Sequence, residues 1–138
     1  MRALSIRQPW AWCILNAGKD IENRQWTTLP EYRGPLLIHA SNTMTRIEYE
    51  DARAWIRDQI GISVPPREQL ARGGIVGVVN FVEVIDARMR IPARSLSRWF
   101  VGPVGLVLAQ PKLCEFIPLK GQLGIFETGI KYEDLRLL

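Results

Sequence analysis

Between residues 7 and 26 the sequence RQPWAWCILNAGKDIENRQW sets Arg7, Lys19, Asp20, Glu22 and Arg24 around three tryptophans. These charges gather at two turns on either side of one short apolar segment, rather than spreading along a solvated face. In an extended strand, residues 20, 22 and 24 share a face, so Asp20, Glu22 and Arg24 project together. Lys19, at the turn entering that strand, reaches over the same face, and Arg7 comes close if the intervening helix doubles back. Several cations around one or two carboxylates can grip a phosphate and supply a titratable group. The same residues also fit a surface salt-bridge network worth little in stability. Both readings are open at this point.

Other residues extend the candidate site. Trp10, Trp12 and Trp26 can stack bases, each contact being worth about 1–3 kcal/mol in single-strand binders. Trp10 and Trp12 point about 200° apart around a helix, so they cannot both face the core. Trp26, directly after the charged strand, is the best placed for stacking. His39 and Ser41 end the segment LLIHAS on one face. His39 fits either a hydrogen-bonded structural role or a cleft-lining acid, base or base-edge contact. Arg88, Arg90, Arg94 and Arg98 fit a track for a phosphate backbone or a solvated rim. Cys13 and Cys114 stand in apolar segments, away from His39 and outside any CxxC, so they read as buried thiols and not as zinc ligands. No glycine-rich phosphate loop or EF-hand pattern occurs. No metal and no cofactor are expected.

The elements that must carry these residues follow from pattern. Residues 2–7 read as a strand, and Pro9 opens a helix over 9–17 that Gly18 stops. Residues 20–25 run extended, and a strand follows the turn at Arg33-Gly34. Thr45 with Glu48 predicts a capping box for a helix over 46–60, with Ala52, Trp55, Ile56 and Ile60 on its apolar stripe. Pro65-Pro66 breaks the chain, and PREQLAR adds one helical turn. Residues 73–87, rich in valine and isoleucine, predict a central strand covered on both faces, with a bulge at Gly77. Residues 103–109 and 112–118 read as a hairpin about Gln110-Pro111-Lys112, and LGIFE as a last strand. Strand, helix, strand, strand, helix and a run of strands predict an α+β fold, a small curved or barrel-like sheet with helices over its openings. At 138 residues, one domain spanning 1–138 is expected. The net charge of +4 makes an anionic partner plausible. The sequence has neither an apolar run of about 20 residues nor a signal peptide's apolar stretch, so a cytoplasmic protein without a membrane partner is expected.

LSIRQPWAWCILNAGKDIENR, YRGPLLIHAS, the long GGIVGVV strand and the closing GQLGIF turn together resemble the ASCH-domain family over roughly residues 3–127. Within it, the likeness is greatest to the branch of small stand-alone EOLA-type proteins. An R-Q-P-aromatic-A segment followed by G-K-x-x-E-x-R is the core of that likeness. The resemblance implies a PUA-like fold, a small β-barrel with flanking helices, whose cleft faces RNA or modified nucleotides. Family members have been assigned RNA binding, ribonuclease activity, or hydrolysis of the acetyl amide of N4-acetylcytidine. The family's amidohydrolases use a lysine to activate a threonine nucleophile in this segment. Lys19 matches that lysine, but Glu22 stands at the threonine's position, and Thr27 and Thr28 lie beyond the matching arginine. That departure fits Glu22 to general-base work on water better than to covalent attack.

Three functions therefore compete. The first is an RNA- or nucleotide-binding module whose cleft uses Arg7, Lys19, Arg24, Trp26, His39 and Ser41 to recognise a nucleotide, modified or not. The second is a hydrolase acting on RNA or a modified nucleoside in the same cleft, with Lys19 and Glu22 as acid–base groups. The third is a protein-interaction adaptor. Binding ranks above catalysis because the threonine is missing.

Overall fold

The structure is a computed structural model that describes residues 1–89 and 97–138. Six strands form one curled half-barrel sheet: β1 (Arg2–Ile6), β2 (Ile21–Arg24), β3 (Gly34–Ala40), β4 (Gly74–Asp86), β5 (Val104–Pro118) and β6 (Ile125–Glu127). Their order across the sheet is β2-β5-β4-β3-β1-β6. Among these strands β1 and β3 pair in parallel, and the other neighbours are antiparallel. Two helices, α1 (Trp10–Asn16) and α2 (Arg46–Gln59), complete the α+β arrangement that the sequence pattern predicts.

β4 is the central strand expected from its β-branched residues, paired on both edges. Its register with β5 shifts at Gly77, where the bulge was expected. A Cβ on Gly77 would lie 2.5 Å from the Lys112 carbonyl and 2.6 Å from the Leu15 side chain, so only glycine lets α1 settle onto the sheet there. Ala11, Ile14 and Leu15 of α1 then bury against Leu4, Ile6, Leu36, Ile38, Phe81 and Leu106. Burying each of the larger side chains contributes about 1.5–3 kcal/mol. On its other side α1 lends Cys13 to a second cluster with Ile21, Tyr49, Ile56, Ile85 and Trp99, which seats α2.

One expectation fails. Gln110-Pro111-Lys112 does not reverse the chain, because β5 runs unbroken from Val104 to Pro118. Val78 pairs with Lys112 and Asn80 with Ala109, so β5 carries one extra residue across that step. Gln110 absorbs it at φ 52, and Pro111, which has no N–H to give the ladder, sits in the bulge. β5 pairs antiparallel with β4 instead. The helix over 46–60 is α2, and its Thr45 hydroxyl accepts the Glu48 N–H at 3.1 Å. The Glu48 carboxylate does not return to cap the helix but pairs with Arg7. Among the described residues, no helix is long and apolar enough to cross a membrane.

Candidate functional site

The charged segment folds around α1. Pro9 precedes the helix and has no side-chain acceptor for the first-turn N–H groups. Gln8 takes that part: its Oε1 accepts the Trp12 N–H at 2.9 Å and its Nε2 donates to the Ala71 carbonyl at 2.9 Å. Gly18, at φ 72, turns the chain out of α1, and the Lys19 N–H donates back to the Cys13 carbonyl at 3.1 Å. β2 then starts at Ile21, whose side chain joins Cys13 of α1 in the second cluster.

Lys19 and Glu22 are 3% and 7% exposed, an unusual burial for either residue type. The Lys19 ammonium donates to Glu22 Oε1 at 3.1 Å and to the Ile21 carbonyl. It also lies 5.7 Å from the centre of the Trp10 ring. Arg24 donates through Nε to Glu22 Oε2 at 3.2 Å and through Nη2 to the Ser5 carbonyl at 2.9 Å. One buried carboxylate thus receives a different cation on each oxygen, which offsets the desolvation of all three groups. Arg24 Nη2 also lies 3.0 Å from Oε2, while Oε1, which accepts from Lys19, keeps a further lone pair for a ligand.

Two adjoining hollows open on this cluster. The first, about 530 Å³, is lined by Arg7, Trp10, Lys19, Glu22, Glu48, Asp51, Trp55 and Trp99 among others. The second, about 580 Å³, is lined by Ser5, Arg7, Glu22, Arg24, Ser41 and residues 122–124 among others. Arg7, Trp10, Glu22 and Asn23 line both, so the two are lobes of one cleft. Asn23 fixes the opposite wall: its amide donates to the Trp99 carbonyl at 2.9 Å, and its Oδ1 accepts the Val101 and Gly102 N–H groups at 2.8 and 2.9 Å.

The ASCH domain family model matches residues 4–103, which include this entire charged segment and most of the cleft. The chain belongs to the ASCH family. Its fold is similar to the crystal structure of ASCH from Zymomonas mobilis, with a TM-score of 0.51 at 14% identity over 96% of this chain and 89% of that one. A point mutant of the same Zymomonas mobilis protein aligns with a TM-score of 0.46 at 13% identity, over 86% of this chain and 75% of that one. A comparison with curated proteins returned no match.

In this ASCH domain Arg7, Lys19, Glu22, Arg24 and Ser41 meet at the cleft. Asp20 turns away and accepts from the Ser97 hydroxyl. Trp26 does not line either lobe: it packs on the core, with the Arg24 guanidinium 5.5 Å from its ring centre. His39 is 1% exposed and lies behind the second lobe, with Nδ1 2.9 Å from the Ser5 hydroxyl and Nε2 2.6 Å from the Leu119 carbonyl. The carbonyl must accept from Nε2–H, and the Ser5 hydroxyl, which can donate or accept, partners Nδ1. Among the described residues no carboxylate bonds to the ring, which fits a tie between β1, β3 and the loop after β5. Gly121 closes over that tie, since a Cβ there would lie 2.8 Å from the imidazole. In the basic stretch, Arg88 forks Asp86 and Arg98 donates to the Gln59 carbonyl, while Arg90 and Arg94 lie outside the described residues.

Sequence pattern alone does not single out Trp55, Trp99, Glu48 and Asp51 as site residues. Trp55 closes the apolar stripe of α2, a position that marks core and cleft alike. Cys13 offers no thiolate: burial pushes its thiol up to about 12, against the opposing pull of Lys19. Among the described residues, no group of three or more His, Cys, Asp or Glu is placed to hold a metal ion.

Proposed function

We propose that the cleft binds a nucleotide of RNA, modified or not, the base against the tryptophans and the phosphate against the arginines. The observation that carries this is the adjacency of the two lobes: Trp55 and Trp99 line one and Arg24 the other, with Trp10, Arg7 and Glu22 common to both. Indoles supply sequence-tolerant stacking and guanidiniums match phosphate oxygens. The fixed Glu22 carboxylate can accept from an exocyclic amine of the base. A place close to the EOLA-type branch and action as one domain over 1–138 belong to the same reading.

Titrating single-stranded RNA across a salt series tests it. Arg7→Gln removes a half-exposed cation and is expected to lower the log–log salt slope by about 0.7. Trp55→Leu keeps an apolar wall but removes stacking, and is expected to weaken binding about tenfold with the slope unchanged. No salt-dependent binding would sink this reading and favour a protein-interaction adaptor.

A hydrolase acting on RNA or a modified nucleoside is the second reading, favoured by the buried Lys19–Glu22 pair in the cleft wall. Both oxygens of Glu22 already accept from cations, which leaves it a positioned acceptor more than a free base. Mass spectrometry of transfer RNA and acylated nucleosides after incubation decides: a mass change abolished by Glu22→Gln means turnover, and unchanged masses with retained RNA mean binding.

A further inference from the structure

The two lobes carry opposite charge. Around the aromatic lobe, Arg7 and Lys19 face Glu22, Glu48 and Asp51, which leaves a formal excess of one negative charge. Each cation is already matched, Arg7 by Glu48 and Lys19 by Glu22, and among the described residues Asp51 makes no ion pair. Arg7 and Glu22 line both lobes; beyond them the aromatic lobe has Lys19, Glu48 and Asp51, one negative charge in excess, and the other lobe has Arg24 alone, one positive charge in excess. An ordinary nucleotide, with a neutral base and an anionic phosphate, satisfies only the second lobe.

The walls of the first lobe also favour cations. Trp10 and Trp55 meet at 5.8 Å with their planes 66° apart, and Trp55 and Trp99 at 6.3 Å and 42°. Indole faces carry negative potential, and rings set at angles can surround a positive centre from more than one side. The lobe already holds one such contact, the Lys19 ammonium over Trp10. Glu22 balances that ammonium, so it does not repel a second cation from the space beside Trp55.

We propose that the aromatic lobe selects a nucleobase that is positively charged at neutral pH, of the class of adenines and cytosines alkylated on a ring nitrogen, while the arginine lobe takes its phosphate. The inference rests on the nucleotide reading above and narrows it. A neutral base gains stacking alone. A cationic base gains stacking, attraction to the indole faces and attraction to Asp51 in a partly walled space where water screens less.

Isothermal titration with two isomers tests it. N1-methyl-AMP carries a cationic base at neutral pH and N6-methyl-AMP a neutral one, with the same heavy atoms in each. The cation is expected to bind about tenfold tighter. Asp51→Asn, an exposed change on α2, is expected to shrink that preference severalfold by weakening the cation's binding more than the neutral isomer's. Equal affinities, or tighter binding of the neutral isomer, would overturn the inference and leave the nucleotide reading standing. An undiminished preference in Asp51→Asn, or RNA binding with neither isomer bound, would overturn it as well. Failure of both isomers and of RNA would remove both.

Discussion

Of the acid-x-arginine spacings in this chain, two close as ion pairs among the described residues, Glu22 with Arg24 and Asp86 with Arg88, and by geometry alone the second is the better formed. Arg88 grips Asp86 with Nε at 2.8 Å and Nη2 at 2.9 Å, one nitrogen on each oxygen. Arg24 reaches only one oxygen of Glu22, and Lys19 takes the other. The outer pair nevertheless has a partner that is 41% exposed, while Lys19 and Glu22 side chains are 2% and 10% exposed. Both arginines also border Trp26, Arg24 at its ring and Arg88 at its carbonyl. Identical spacing therefore produces a desolvated cluster that walls a cleft in one place and a rim contact in the other. What separates them is the third charge and the helix above it.

The largest expected effect comes from breaking the inner cluster. Lys19→Met leaves the Glu22 carboxylate buried with one cation in place of two, and is expected to cost about 3 kcal/mol, since uncompensated buried charge is expensive. Pairing it with Glu22→Leu removes the stranded charge, so the double variant is expected to be more stable than Lys19→Met alone. Urea unfolding of wild type, both single variants and the double variant gives the coupling. If Lys19→Met proved no more harmful than Arg88→Met, the distinction between the two pairs would collapse.

That distinction also marks how far the sequence could be read. The shared face of Glu22 and Arg24, the reach of Lys19 and the return of Arg7 all follow from strand period and one helix reversal, which are local. The α+β order, the central β4 and the Gly77 bulge are legible for the same reason. What escaped depends on distant pairing. β5 reads as a hairpin because Gln110-Pro111-Lys112 has turn chemistry, and only the register against β4 shows a bulge. Trp99 enters the cleft because Asn23, 76 residues earlier, holds its carbonyl. Glu48 satisfies a capping signal, yet its side chain is drawn to Arg7 across 41 residues. Trp26 follows the charged strand directly, but its ring packs on the core rather than lining the cleft.

An intermediate effect sharpens the comparison, because His39 and Ser5 form a buried hydrogen-bonded pair outside any ion pair among the described residues. His39→Leu leaves the Ser5 hydroxyl and the Leu119 carbonyl without their partner and is expected to cost about 1–3 kcal/mol. It is also expected to speed amide exchange at residues 119–122, which a simple loss of packing elsewhere would not do selectively. Exchange rates unchanged in that loop would mean that the imidazole does not hold it.

The smallest effect belongs to Arg88→Met, and its pH dependence is its signature. The Arg88 hydrogen bond holds the Asp86 carboxyl below the usual carboxylate range, partly opposed by desolvation. A group with a lowered folded pKa contributes stability that is fully present above its unfolded pKa and disappears as pH falls through the folded one. Wild type and Arg88→Met are therefore expected to differ slightly at neutral pH and to converge in acid, where protonated Asp86 no longer distinguishes them. Thermal unfolding across that range reads the difference directly. A gap that persisted undiminished into acid would assign the contribution to the 2.8 Å bond from Arg88 to the Trp26 carbonyl instead of to the ion pair. The outer pair would then be a clamp on the chain leaving β2, and it would bear on the cleft through Arg24.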